Sequence, residues 1–388
     1  ALAHATLARQ LTIHGFKKSS KTHMEKAVSL ANKVSTREQR AITAMHAVAG
    51  FDPDAMQIVR AHVDDYPQDV FVLSHLLGPF GMLAFSGQAN WCQQNLDLLR
   101  KTQPGYREDD WWHITTRGFF AAESGQLSLA REECERAWSI DQNGNCAHTL
   151  AHFHFEADAG REGRAFLEDW LAGYRDDSDM RHHMYWHLAL LDLEDGIPAD
   201  EIYKLYDREL DHNVCDPMPL TTFSDNAAFL WRSLLSGIAI EPSRSEALWD
   251  YAEQHYPRYG FGFADIHRIM AASLHPNPDK LHECAKQLHK AAEESGSRMA
   301  ECLETYAQGF AAFANESYDE TVELLAPVLA ESVLLGGSNP QRRIIEDTYL
   351  AACLEAGRLD EARAVVVSRD RKNSNFDQDI LRRTDSHG

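Results

Sequence analysis

Clustered basic residues, paired cysteines and long apolar runs are all missing from this 388-residue chain. Lys and Arg total 38 against 59 Asp and Glu, a formal net charge of −21, and the basic residues are scattered. Binding a polyanion needs clustered cations to displace its counterions, so nucleic acid and an anionic membrane are excluded as partners. The seven cysteines, at positions 92, 134, 146, 215, 284, 302 and 353, are odd in number and include no CxxC pair. That argues against a disulfide framework or a cysteine-rich zinc site, and for a reducing, cytoplasmic setting. No apolar stretch approaches the roughly 18 residues of a membrane span. The opening ALAHATLARQLTIHG has neither the basic start nor the apolar run of a signal peptide. It also has no Met, so the sequence is expected to begin inside a longer chain. Runs of β-branched residues are scarce while Leu, Ala and Glu abound, which favours helix throughout.

What is present is a repeat. A turn residue followed about five positions later by a small residue, often closed by Pro, recurs along the chain. The clearest copies are Gly50–Pro67, Gly87–Pro104, Gly125–Asp141 and GRLDEARAV from Gly357. These resemble tetratricopeptide repeats. Turn residues fall at Gly15, Gly50, Gly87, Gly125, Gly160 and Gly196, then less clearly near Gly237, Asn277, Asn315 and Gly357. Their spacing of 35 to 42 residues slightly exceeds the usual length of about 34. The expected fold is all-α: a superhelical solenoid of about ten tetratricopeptide-like hairpins over 1–371, stacked as one cooperative domain. DHNVCDPMPLTTF and HYPRYGFGF read as connectors, and 372–388 as a polar tail, at most a weak last turn. An array this long would bring its first repeats opposite its last across a central channel.

One position of the first helix carries ionisable residues. Twelve residues before the turn lie His75, His113, His148, Asp225 and Asp265; His183 is one position out of that phase, and His4 stands eleven before Gly15. First helices line the inner wall of such solenoids, so one phase means one stripe. His152, His154, Trp186, His187 and His267 add to it. His148 with His152, and His183 with His187, are i,i+4 pairs, each on one helix face. Two such helices in consecutive repeats are neighbours, and four converging imidazoles can hold a divalent metal ion, with Glu156 or Asp179 as an oxygen ligand. The same rings can serve as acids and bases near neutral pH, or simply hydrogen-bond across repeats. Trp186 beside them offers a stacking surface, although aromatics at helical spacing usually fill core.

LLGGSNPQRRIIEDTYL is a separate signal. Ser338 or Asn339 can cap a helix whose first turn holds Pro340, and Gly336 and Gly337 permit close backbone approach. A helix N-terminus with Gln341, Arg342 and Arg343 beside it suits a carboxylate or phosphate; a capped helix with solvated arginines is the plain alternative.

Together HTLAHFHFE, DSDMRHHMYWHLALLDLEDG, FADIHRIMAAS and LGGSNPQRR resemble the tetratricopeptide repeat protein 38 family, over most of the chain to about residue 355. The resemblance implies site positions at His4, His148, His152, His154, Asp179, His183, Trp186, His187, Asp265, His267, Gly336, Gly337, Ser338, Gln341 and Arg342. Arg343 departs from the Asp of the family pattern, which removes any acidic role there. The resemblance implies a fold and a site, but no reaction.

Three functions follow. The chain encloses a small polar or anionic molecule in its channel; or it is an enzyme of hydrolase or proton-transfer type on the same His/Asp wall, with or without metal; or it is a peptide-binding scaffold. A clamp for an acidic peptide terminus would need Lys, Asn and Arg where His, Asp and Trp stand. Ionisable groups on an inner wall cost desolvation unless something pairs with them, which favours the first two.

Overall fold

A computed structural model of the chain describes residues 1–175, 177–369 and 375–385. Among these there are 21 α-helices and no strand, as an α-α repeat requires. The chain divides into two compact units, 1–149 and 150–388.

The first unit pairs α1 (Leu2–Ile13) with α2 (Lys17–Ser29) and α3 (Thr36–Ala49) with α4 (Ala55–Asp65). Ser35 caps α3 in a capping box with Glu38, and Ala5, Ala8, Met24, Ala27, Ile42 and Met45 form the core between α1, α2 and α3. The third repeat departs from the pattern. Its first helix, α5 (Val70–Leu73), ends within one turn, and residues 74–90 run as turns to α6 (Trp91–Thr102). Gly78, Pro79 and Gly81 crowd this stretch, and helix does not survive them. A regular hairpin follows, α7 (Trp111–Glu123) and α8 (Leu127–Ile140), then α9 (Gly144–Glu156), in which the division between the units falls.

The second unit continues with α10 (Gly160–Ala172), α11 (Asp179–Glu194), α12 (Ala199–Leu205) extended by a π-turn over Tyr206–Leu210, α13 (Pro219–Leu235) and α14 (Pro242–His255). After these come α15 (Gly262–Leu274), α16 (Asp279–Ser295), α17 (Arg298–Ala314), α18 (Tyr318–Leu325), a 3₁₀ stretch Ala326–Leu335, α19 (Asn339–Glu355), α20 (Leu359–Arg369) and α21 (Asn375–Asp385). Pro219 sits in the first turn of α13, where its missing N–H costs nothing, so part of the expected connector is helix. The expected tail also folds: α21 packs on α20, with Ile380 buried and Asp377 paired to Arg369 at 3.1 Å. The rest of that tail, at 372–374 and 386–388, lies outside the described residues.

Turn counting located the hairpins but not always the residue that bends them. Gly125 and Gly357 take left-handed φ values of 71°, whereas at the second and ninth turns Phe51 (φ 53°) and Glu316 (φ 59°) do so instead of Gly50 and Asn315.

Burial is unequal within hairpins. α13 is buried on nearly every face, since it packs against α11, α14, α15 and α19, while α14 buries one stripe. The contact with α19 is not one between sequential repeats. Trp231 donates its indole N–H to the Thr348 hydroxyl at 2.8 Å and stacks on Phe310 of α17 at 4.7 Å, and Arg232 donates to the Pro340 carbonyl at 2.6 Å. The later hairpins of this unit therefore return to α13.

Candidate functional site

The i,i+4 pairs on α9 and α11 do what their spacing predicts. His148, His152, His183 and His187 each bring one ring nitrogen to within 4.8 Å of all the others. Only one helical turn separates His148 from His152, on a single continuous helix. His152, His183 and His187 are buried and His148 half-buried. The rings meet edge to face, His152 with His187 at 4.7 Å and His183 with His187 at 4.8 Å between centroids. Trp186, fully buried, stacks on His183 at 5.2 Å.

Behind the cluster stands α13. Asp225, wholly buried, accepts a hydrogen bond from His183 Nδ1 at 2.8 Å, and His182 Nδ1 lies 3.3 Å away. Burial would raise the Asp225 carboxyl, but the facing His183 and His182 outweigh it and hold the group below its ordinary range. A carboxylate can only accept, so His183 donates through Nδ1. Burial, then the neighbouring His183 and Arg342, push His152 well below the ordinary imidazole value, so it is neutral near pH 7.

α19 closes the patch from another side. Ser338 caps it, and Gln341 Oε1 accepts the Ser338 backbone N–H at 2.9 Å. Arg342 is buried rather than solvated and donates to the Gly337 carbonyl and the Asn339 side chain. Arg343 lies over Phe155 of α9, 4.2 Å from the ring centre. A Cβ on Gly337 would meet the Phe263 ring at 2.4 Å, so only glycine lets this turn approach α15. From α13, Arg232 reaches the Trp186 ring at 6.0 Å; burial pushes its guanidinium down to about 10, still charged at neutral pH.

Other expected residues sit elsewhere. His4 pairs with His23 of α2 at 2.8 Å. His75 belongs to the turns after α5 instead of a first helix, and burial followed by Arg9 pushes it down to about 3. His113 turns its Nε2 to the Leu99 carbonyl of α6 at 3.1 Å, a core histidine with a backbone partner. His154 packs toward α10, against Gly163 and Phe166, because two residues beyond His152 is the opposite side of a helix. Asp179 is exposed at the start of α11, and neither it nor Glu156 joins the four imidazoles. Asp265 accepts the Gly260 N–H at 2.8 Å, and burial raises its carboxyl to about 7. His267 gives Nδ1–H to the Phe263 carbonyl at 2.6 Å, and burial holds it at about 4.

Two contributors escaped the repeat count. His182 is fully buried and donates Nε2–H to the Leu210 carbonyl at 3.0 Å. Arg232 stands seven residues after Asp225, two turns along one face, and that spacing was the available signal.

No family model matches the chain. No described helix is long and apolar enough to cross a membrane, and no disulfide joins the seven cysteines.

Proposed function

We propose that the 150–388 unit binds a small anionic molecule where the first turn of α19 meets α11 and α13. One observation carries this reading: buried donors left without a protein acceptor among the described residues. They are Trp186 Nε1, Gln341 Nε2 and Arg232 Nη1, from α11, α19 and α13. Arg232 touches both other elements, through the Trp186 ring and the Pro340 carbonyl. Each buried unmatched donor costs about 1–3 kcal/mol, and an oxygen-rich ligand offsets that cost. The resemblance to the repeat protein 38 family supports the same address, since Trp186, Gln341 and Arg342 are among its pattern positions.

An enzymatic reading has the His183–Asp225 pair in its favour, because a carboxylate that fixes the tautomer of an imidazole also readies it as a base. Nothing specific favours a peptide scaffold.

Thermal melting with inorganic phosphate and a panel of small mono- and dicarboxylates tests the proposal. An anion at a hundredfold excess over its Kd should stabilise the protein by about 2.7 kcal/mol. Trp186→Phe, which removes the indole N–H and keeps an aromatic ring, should weaken binding about tenfold, and Arg342→Ala more. A wild-type melt that no anion moves, or variants that bind as wild type does, would contradict it.

A further inference from the structure

The four imidazoles invite comparison with the other buried histidines of the same chain. His113, His182 and His267 each direct a ring nitrogen to a backbone carbonyl, of Leu99, Leu210 and Phe263 respectively. That is how a core histidine is ordinarily accommodated. His148, His152, His183 and His187 each bring one ring nitrogen to within 4.8 Å of the other three. Four nitrogens at roughly 2.0–2.1 Å from a tetrahedral zinc ion lie roughly 3.3–3.4 Å apart. The observed spread exceeds this by an amount that side-chain rotation on two fixed helices can close.

The surroundings fit the same chemistry. A histidine that ligates a metal commonly donates its other ring N–H to a carboxylate, which orients the ring and makes it a better ligand. Asp225 does this for His183 at 2.8 Å. Trp186 stacks on the other side of the same ring and restricts its rotation. A set of imidazoles without thiolate selects borderline ions such as zinc, cobalt, nickel or copper over calcium or magnesium, which prefer oxygen.

We propose that His148, His152, His183 and His187 form a binding site for one divalent transition-metal ion, zinc foremost, with Asp225 as a positioning residue behind His183. Four neutral ligands leave the ion its full positive charge. An anion bound nearby would then have a counter-charge, but the metal site does not depend on the anion proposal and is tested without one.

The experiment uses the full chain carrying no polyhistidine tag, freed of metal by chelator and then titrated with Co²⁺. Four-coordinate cobalt has intense visible d–d bands that six-coordinate cobalt on surface histidines lacks, so the spectrum counts this site alone. Wild type should take up close to one cobalt per chain with those bands, and one equivalent of Zn²⁺ should bleach them. The double variant His148→Ala, His187→Ala should lose the bands while keeping its helical circular dichroism. Asp225→Asn should keep them with affinity reduced 10- to 100-fold. If the double variant does not fold, His148→Ala alone, at the half-buried position, should shift the bands to those of a higher coordination number. Wild-type protein that shows no stoichiometric four-coordinate spectrum, or a folded double variant whose spectrum matches wild type, overturns the proposal.

Discussion

Trp231→Ala is the substitution that asks most of the fold. The indole is wholly buried, stacked on Phe310 at 4.7 Å, close to Phe313 at 5.8 Å, and bonded to Thr348 at 2.8 Å. Truncating a buried Trp to Ala costs about 3–5 kcal/mol. The hydrogen bond adds little, because the Thr348 hydroxyl still donates to the Ile344 carbonyl and loses only a partner for its lone pair. Where the loss spreads is the sharper matter. In a linear array each repeat touches only its neighbours, so a cavity in α13 would loosen α11 to α16 and fade beyond them. Here Trp231 spans to α17 and α19. Hydrogen exchange followed by mass spectrometry should therefore show lost protection over 298–314 and 339–355 as well as around α13, with residues 1–65 unchanged. Loss confined to 179–295 would refute the inference that the later hairpins lean on α13.

Two further outcomes follow. His267 ionises near 6.5 when unfolded and near 4 when folded, so the unfolded chain binds more protons between those values. Its contribution to stability is complete above about 6.5 and falls as pH drops, by about 3 kcal/mol at pH 4; a denaturant series at pH 7, 5.5 and 4.5 should show a decline that His267→Phe reduces. Asp347 is held below its ordinary range, burial being outweighed by Arg369, Arg232 and Arg343. Asp347→Asn should destabilise the 150–388 unit by about 1.5–3 kcal/mol at neutral pH, since Arg369 loses one charged partner but keeps Glu346 and Asp377, and an unchanged denaturation midpoint would contradict the ion-pair network around that residue.

Much of this molecule was legible in its sequence, and the failures have physical causes. Hairpins could be counted because a turn residue and a small residue recur at near-constant spacing. The metal-like cluster could be read because i and i+4 share a helix face, and the two helices carrying such pairs are consecutive first helices. A fixed offset from the turn specifies distance along the helix but not rotation, and each residue turns the face by about 100°. His154 lies two residues from His152 and faces α10; His113 has the stripe phase yet points at α6. His75 failed for another reason: the glycines and proline after it dissolve the helix it was counted on. Periodicity describes neighbours, so it could not foretell that Trp231 would meet Thr348, 117 residues away. The helix at 375–385 was hidden by polar composition; among its described side chains, Ile380 is buried and Asp377 forms a buried ion pair with Arg369.

The site account turns on whether the four rings are a ligand set or merely packed side by side. X-ray absorption at the zinc K-edge, on untagged protein loaded with one equivalent, measures this directly. The account predicts about four nitrogen scatterers near 2.0 Å with the outer-shell pattern of imidazole rings, and a spectrum that changes in His152→Ala. A shell dominated by oxygen, or one showing fewer than three imidazoles, would contradict it.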